Sequence, residues 1–380
     1  MNNKKSLFAA AVAAACAFSA APAFADDDAR TIAVFGDWPY GQDLLDNAHV
    51  LINAINADRD VKLVMHVGDI HSGSMPCTGA GYAIDYVSKT GSALASSNPG
   101  WNQHVWARFQ QFDKPVIYTP GDNEWADCHK SKQLSSGAPL AELASVRELF
   151  FAKPGKSLGK TEKRVISQAE AFDDAHPSDS QFVENVMWED EGVVFATFNI
   201  PGGSNDDADG WTAPFANPTA QAQERADREA ANARWLDAAF DFAAGRHARA
   251  VVLGVQANMW DSEKVDPVDP ANKTNLNNYT PFVQKLATRS LSFKRPVLLL
   301  NGDSHKYKAD QPLVPSTGVP VTLNCENLAG CDLSLIHKTP VVPNLRRIIV
   351  QGSGEPTRSW VKLRIDTESK DVFSWVTVAY

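Results

Sequence analysis

The chain has 380 residues and 45 acidic against 36 basic side chains, for a formal charge of −9. An acidic body with no basic block excludes nucleic acid as the main partner, because binding to a phosphate backbone needs clustered Lys and Arg. A small phosphorylated substrate is not excluded, since a bound metal ion brings its own positive charge.

In chain order, residues 1–25 read as a signal peptide. Lys4 and Lys5 begin it, Leu7 to Ala15 is an uncharged apolar run, and Ala23-Phe24-Ala25 forms a cleavage site before Asp26-Asp27-Asp28. The run is shorter than the roughly 20 residues a membrane span needs, and no later segment is long and apolar enough. The expectation is an exported, soluble protein, secreted or periplasmic, with residues 26–380 as a single domain. Lipoprotein anchoring at Cys16 is the lesser alternative.

Six apolar runs of strand length follow: Thr31 to Phe35, Lys62 to Val67, Pro115 to Tyr118, Gly192 to Ile200, Ala248 to Val255 and Pro296 to Leu300. They are nearly continuous rather than alternating, as in strands buried on both faces. Leu44 to Ala57 carries a helical stripe of Leu44, Leu45, Ala48, Leu51, Ile52 and Ile55. Ala220 to Ala244 is Ala-rich, with Trp235, Leu236, Ala239 and Phe242 on one face. Strands alternating with helices predict an α/β layered fold. At the end, Arg347 to Val350, Trp360 to Ile365 and Val372 to Val378 suggest a meander and a more antiparallel portion of sheet. Ser72 to Pro99, Ser131 to Pro139 and Pro201 to Pro218 read as loops. In the last, Asn205 and Asp206 read as turn formers before substrate ligands.

Four cysteines remain after the leader, and an even count in an exported chain reads as disulfides. Cys325 and Cys331 flank a short loop and are expected to pair, leaving Cys77 with Cys128. Zinc ligation by these cysteines lacks its usual Cys-x-x-Cys spacing.

The most informative pattern is a repeated junction. Each of Gly36-Asp37, Gly68-Asp69, Gly121-Asp122 and Gly302-Asp303 stands where an apolar strand ends. In an open α/β sheet, ligands bind beyond the carboxyl ends of the strands. Carboxylates converging there without Lys or Arg would repel one another, and divalent cations relieve that repulsion. An aspartate that merely caps the next helix or turn is the bland alternative at any one of these positions.

With these segments in place, the order of motifs resembles the calcineurin-like metallophosphoesterases. That family shows Asp-x-His, Gly-Asp, Gly-Asn-His-Asp/Glu, a lone His, then Gly-His-x-His. The corresponding segments are Gly36 to Pro39, Gly68 to His71, Gly121 to Trp125, Val255 to Asn258 and Gly302 to His305. Thr119 to Trp125, Thr-Pro-Gly-Asp-Asn-Glu-Trp, is similar to the mark of a bacterial exported subgroup.

The resemblance implies a four-layer αββα sandwich with a two-metal centre at the carboxyl edge of its sheets. It implies metal ligation by Asp37, Asp69, Asp122, Gln256, Asp303 and His305, with Asp69 bridging both ions. Asp122 stands at the family's ligand Asn and Asn123 at its catalytic His; a one-residue shift makes Asn123 the ligand instead. Pro39 replaces the first motif's His and has no ligating side chain. Oxygen ligands have largely replaced imidazoles, which favours Mg, Mn or Ca over Zn and leaves one weak or empty metal position as an alternative to a filled pair. With a catalytic His absent at Asn123, His71 becomes the candidate proton donor, with His129 behind it; His66, in an apolar run, reads as core. Trp38, Trp125 and Trp260 are candidates for lining the cleft.

The implied activity is a metal-dependent hydrolase acting on phosphate mono- or diesters through a metal-bound hydroxide. The alternative is a non-catalytic binding protein with the same fold and a degraded metal site, favoured by the lost histidines. A serine-nucleophile α/β hydrolase, a rival of another class, requires a Gly-x-Ser-x-Gly elbow between a strand and a helix.

Overall fold

The computed structural model describes residues 29–77, 100–206, 210–261, 276–315 and 333–380, with the backbone of Tyr86–Val87 and Ala93–Leu94. The expected leader with Cys16, the Cys325–Cys331 pair and parts of two expected loops lie outside the described residues.

The strands are β1 (Arg30–Phe35), β2 (Val61–His66), β3 (Tyr86–Val87), β4 (Ala93–Leu94), β5 (Val116–Tyr118), β6 (Ile166–Ser167), β7 (Val186–Asp190), β8 (Val193–Thr197), β9 (Ala250–Gly254), β10 (Val297–Asn301), β11 (Lys308–Asp310), β12 (Leu345–Ile349), β13 (Ser359–Ile365) and β14 (Phe373–Ala379). The helices are α1 (Gln42–Asp46), α2 (Ala48–Ala57), α3 (Trp101–Phe109), α4 (Pro139–Phe150), α5 (Gly202–Asp206), α6 (Pro218–Gly245) and α7 (Thr280–Phe293). The fold is mixed α/β.

Two mixed sheets carry the structure. One has the order β14-β13-β1-β2-β5, the other β11-β12-β10-β9-β8-β7-β6. In the first, β1, β2 and β5 are parallel and β13 and β14 antiparallel. In the second, β8, β9, β10 and β12 are parallel. The expected C-terminal meander is therefore divided. Strand β12 lies beside β10 in the second sheet, and only β13 and β14 form an antiparallel pair, in the first. Residues 345–349 are buried at all but one position, as a strand inside a parallel sheet requires.

Among the described residues, three large cores hold these elements, beside a small cluster of Trp125, Ala126 and Leu143. Ile32, Val34 and Leu63 of the first sheet share one cluster with Phe195, Val252 and Leu298 of the second. On the other face of the first sheet, Phe35 packs with Leu51, Ile52, Val105, Phe109 and Val146 from α2, α3 and α4. Val251 and Leu299 of the second sheet pack with Trp235, Phe240 and Leu286 of α6 and α7. This two-sided cover explains the near-continuous apolar runs, each large side chain contributing about 1.5–3 kcal/mol on burial.

Two helices differ from the periodicity. The stripe over Leu44 to Ala57 is broken at Asn47, whose Nδ2 donates to Asp43 O at 2.9 Å. Such a side chain competes with the helix for backbone groups, ending α1 before α2 starts. Helix α6 starts where Asn217 accepts the Ala220 N–H at 3.1 Å with Pro218 behind it. Its buried face takes Phe240, while Phe242 is only partly covered.

A disulfide joins Cys77 to Cys128 across 51 positions of sequence. Among the described residues, no helix is long and apolar enough to cross a membrane. Closing a loop of this length restricts the unfolded chain, so replacing both cysteines with alanine is expected to cost about 2–4 kcal/mol. Urea unfolding of that double variant against the parent measures it.

Candidate metal centre

The carboxyl ends of the parallel strands of both sheets meet at one rim. Asp37 follows β1, Asp69 follows β2, Asp122 follows β5, Gln256 follows β9 and Asp303 follows β10. The first two loops are locked together, with Asp37 N donating to Gly68 O and Trp38 N to Asp69 O, both at 2.9 Å. Within the second sheet, Gly302 N donates to Gln256 O at 3.1 Å, and across the sheets Thr119 Oγ1 donates to Phe198 O at 2.9 Å. From beyond β12, Ser353 Oγ donates to Asp37 O at 2.5 Å. His66 fixes the same corner. It is buried, with Nδ1 accepting from Gly68 N and Nε2 reaching Trp38 O at 2.9 Å.

The aspartates themselves carry the turn. Asp37, Asp69 and Asp303 have φ of 48°, 60° and 75°, and His305 has 62°. That left-handed region is costly for a residue with a side chain, and such strain collects at functional sites. The glycines of the motifs serve close approach. A Cβ on Gly121 would lie 1.9 Å from Asp69 Oδ1, and one on Gly302 would lie 2.6 Å from Asp37 Oδ2. These two glycines thus leave room for another motif's carboxylate, while Gly68 leaves room for Gln256 and Gly36 for Val67.

The side chains converge. One atom from each of Asp37, Asp69 and His305 lies within 4.8 Å of the others. Asp69 Oδ2 and Asp122 Oδ1 accept from the same nitrogen, Gln256 Nε2, at 3.1 and 3.0 Å. Asp303 Oδ2 accepts from Asn258 N at 2.8 Å, while Asp303 N donates to Asp37 Oδ1 at 3.2 Å. Asn258 is in turn held by buried Arg347, which donates to its Oδ1 at 2.6 Å.

Tyr40 stands at the centre of this group and was not singled out by sequence. Its hydroxyl is 3.1 Å from Asp37 Oδ1, 3.1 Å from Asp69 Oδ2 and 3.3 Å from His305 Nε2. Asn123 Nδ2 lies 3.5 Å from the same oxygen. The available signal was a hydroxyl three positions after Asp37, in the segment that leaves the first Gly-Asp junction.

Electrostatics follow from burying this much negative charge. Burial pushes the Asp37 carboxyl up to about 6, with His305 pulling it back. Asp69 and Asp303 are carried well above the usual carboxylate range, first by burial and then by the charge of Asp122. Asp122 is raised by burial and by Asp127. The Tyr40 phenol is held well above its ordinary value by burial and by Asp37 and Asp69, so it stays protonated. One phenolic proton faces two carboxylate oxygens, and only one can accept it at a time.

Other expected residues take different places. His71 is fully buried, its Nδ1 3.2 Å from Ser72 O, and Nε2 has no hydrogen-bond partner among the described residues. Desolvation brings it down to about 4, so at neutral pH it is uncharged and a poor proton donor. Asn123 Nδ2 donates to His71 O at 3.0 Å, which places Asn123 beside the carboxylates and the His71 ring behind it. His129 is buried against the 210–212 segment, 3.2 Å from Thr212 Oγ1. Gln256 presents N–H groups to the carboxylates, not the carbonyl oxygen a ligand would offer. Trp38, Trp125 and Trp260 are buried and do not line an open cleft. Trp38 and Trp260 belong to the cores, and Arg228 lies over Trp125. Asn205 and Asp206 are buried in α5, where Gly203 to Asp206 all have positive φ. They shape that turn, with Asn205 accepting from Arg228. Glu124, of the Thr-Pro-Gly-Asp-Asn-Glu-Trp segment, ties two motif loops by accepting from Ile70 N and Tyr118 Oη at 3.1 and 2.8 Å. Gly155 to Gly159 fits the pattern Gly-x-Ser-x-Gly but is no elbow. It follows a turn after α4, and Ser157 Oγ accepts from Lys163 N at 2.8 Å.

No family model matches the chain, and no curated protein matches it. A solved structure described as GAP50, the anchor in the inner membrane complex of Plasmodium, superposes with a TM-score of 0.45 at 9% identity. The match covers 92% of this chain and 84% of that one.

The shared phenol yields a direct test. Tyr40→Phe removes the donor that Asp37 and Asp69 share while keeping the ring. In chelator, the variant should lose about 1–3 kcal/mol, the cost of a buried acceptor without its partner. Urea unfolding measures it.

Proposed function

We propose that the chain is a metal-dependent hydrolase of phosphate esters, exported from the cell and built as a four-layer αββα sandwich. The order of the three cores, helices on a sheet, sheet on sheet, and sheet on helices, supports the layered reading. The observation that carries the function is the meeting of Asp37, Asp69 and His305 atoms within 4.8 Å, from strand ends in two sheets.

The donor set fits a divalent cation. Asp37 is fully buried and its Oδ2 has no hydrogen-bond partner among the described residues. Burial and the neighbouring carboxylates make these carboxyls hold protons more tightly than normal, a repulsion that a divalent cation would relieve. Oxygen-rich donors suit Mg, Mn or Ca. Asp37, Asp69 and His305 would hold the cation, which would supply positive charge for a phosphoryl oxygen and make water at the site more acidic. The chain does the rest. Asp69 joins the two halves of the group through Tyr40 and Gln256. Asn123, fixed by His71 O and by Gln133 Nε2 at 3.4 Å, turns N–H toward the same space and can orient a phosphoryl oxygen. Tyr40 Oη carries a proton between Asp37 and Asp69 and replaces the sealed His71 as the candidate donor to a leaving oxygen.

A second reading, a binding protein without turnover, is favoured by one observation. Neutral donors, Tyr40 Oη and Gln256 Nε2, already sit between the carboxylates.

Turnover separates the two. Chromogenic phosphate mono- and diesters with Mg, Mn, Ca or Zn are expected to be hydrolysed, and Asp69→Asn should lose at least about 100-fold in kcat/KM. Cation binding without turnover on every ester would favour the binding protein. Cation affinity should also depend on pH. Asp37 titrates near 6, so a cation must displace its proton below that pH and meets a free carboxylate above it. Mn binding by calorimetry should weaken about fourfold from pH 7.5 to 5.5 through Asp37 alone, and further through Asp69. Affinity that rises on acidification would count against the centre.

A further inference from the structure

Between Asp69 and Asp122 stands an amide nitrogen. Gln256 Nε2 donates to Asp69 Oδ2 at 3.1 Å and to Asp122 Oδ1 at 3.0 Å, using both of its hydrogens. The other end of the amide, Oε1, accepts the Gly202 N–H at 2.6 Å. The side chain is fully buried. Its Cβ and Cγ fill space left by Gly68, where an added Cβ would lie 2.6 Å from each.

The two ends of this amide cannot be exchanged. Turning it over would aim a carbonyl oxygen at two carboxylates and an NH2 group at a backbone N–H. Gly202 cannot retreat easily either. It opens the left-handed turn of α5, and a Cβ on it would already lie 2.7 Å from Asp122 Oδ2. A cation shared by Asp69 and Asp122 needs oxygens at about 2.0–2.6 Å, in the space where Nε2 now sits. A neutral donor with two hydrogens meets the same two acceptors without an ion.

Tyr40 Oη stands between Asp37, Asp69 and His305 in a similar way, but it meets side chains alone and its residue is only partly buried, so it can move aside where Gln256, buried and tied to the Gly202 backbone, cannot. We infer that Gln256 takes the place of the second cation, so that the centre holds one ion, between Asp37, Asp69 and His305. This rests on the metal-dependent reading above and narrows it from two ions to one. The Asp69–Asp122 side of the group is then closed by hydrogen bonds. A phosphoryl group approaching from there meets N–H donors in place of a second positive charge.

The inference is tested by counting ions. The full mature chain, stripped with chelator, is equilibrated with Mn and its bound metal counted by equilibrium dialysis, beside Gln256→Glu and Gln256→His. The expected result is one Mn per wild-type chain and two in each variant. Electron paramagnetic resonance should show an isolated Mn in the wild type and a spin-coupled pair in the variants. Two ions in the wild type overturn the inference, as does a count that stays at one in variants whose thermal unfolding shows them folded. If neither variant folds, the wild-type count decides alone, one supporting and two overturning. No bound ion in any of the proteins overturns the metal-dependent reading itself, and this inference with it.

Discussion

Buried negative charge is the constraint around which this rim is built. Two ionised carboxylates within 4.8 Å repel by roughly 3–4 kcal/mol even at an effective dielectric of 20. Asp37 and Asp69 bear that burden with Asp122 and Asp303 close enough to raise it. The chain answers in three ways. It lets the carboxyls keep protons, it sets Tyr40 and Gln256 between them as donors, and it brings His305 to 3.5 Å from Asp37. The protons and the Tyr40 hydroxyl are what a cation would displace and His305 is what would join it, while Gln256, tied to Gly202, would stay where it is.

The sheets exist, in this view, to bring those ends together. Their apolar strands bury on both faces, which fixes their direction and register, and the loops after them have one edge on which to meet. Parallel strands from both sheets feed it, so the group contains residues from positions 37 to 305. The shared Asp69 and the ties from Ser353 and Asn258 show how far the supporting shell extends. That shell includes His66, brought down to about 3 by burial and neutral where it holds two loop backbones.

Much of this was legible because it is local. A run such as Thr31 to Phe35 before Gly36-Asp37 states both the strand and the point where it ends, and every such pair found its place on the rim. What was hidden depended on where the chain goes afterwards. Tyr40 reaches the carboxylates only because the segment after Asp37 folds back, and no periodicity records that. Gln256 read as a ligand by position, yet Gly202, 54 residues earlier, decides which end of its amide faces the acids. His71 looked exposed to chemistry from its neighbour Asp69, and only the packed structure shows it sealed. Likewise β12 read as part of a meander because strand pairing partners are not written in a strand's own residues.

The left-handed backbone at Asp37, Asp69 and Asp303 bears on how these positions tolerate replacement. Aspartate and asparagine enter that region more readily than other residues with side chains, because a short polar group can bond to nearby backbone. Alanine scanning here would therefore mix two losses, a missing carboxylate and a conformational penalty, in one number. Asparagine separates them, keeping the shape and removing only the charge. The same preference narrows the alphabet available to drift: replacements at these sites would be expected to run to asparagine or glycine before any other residue.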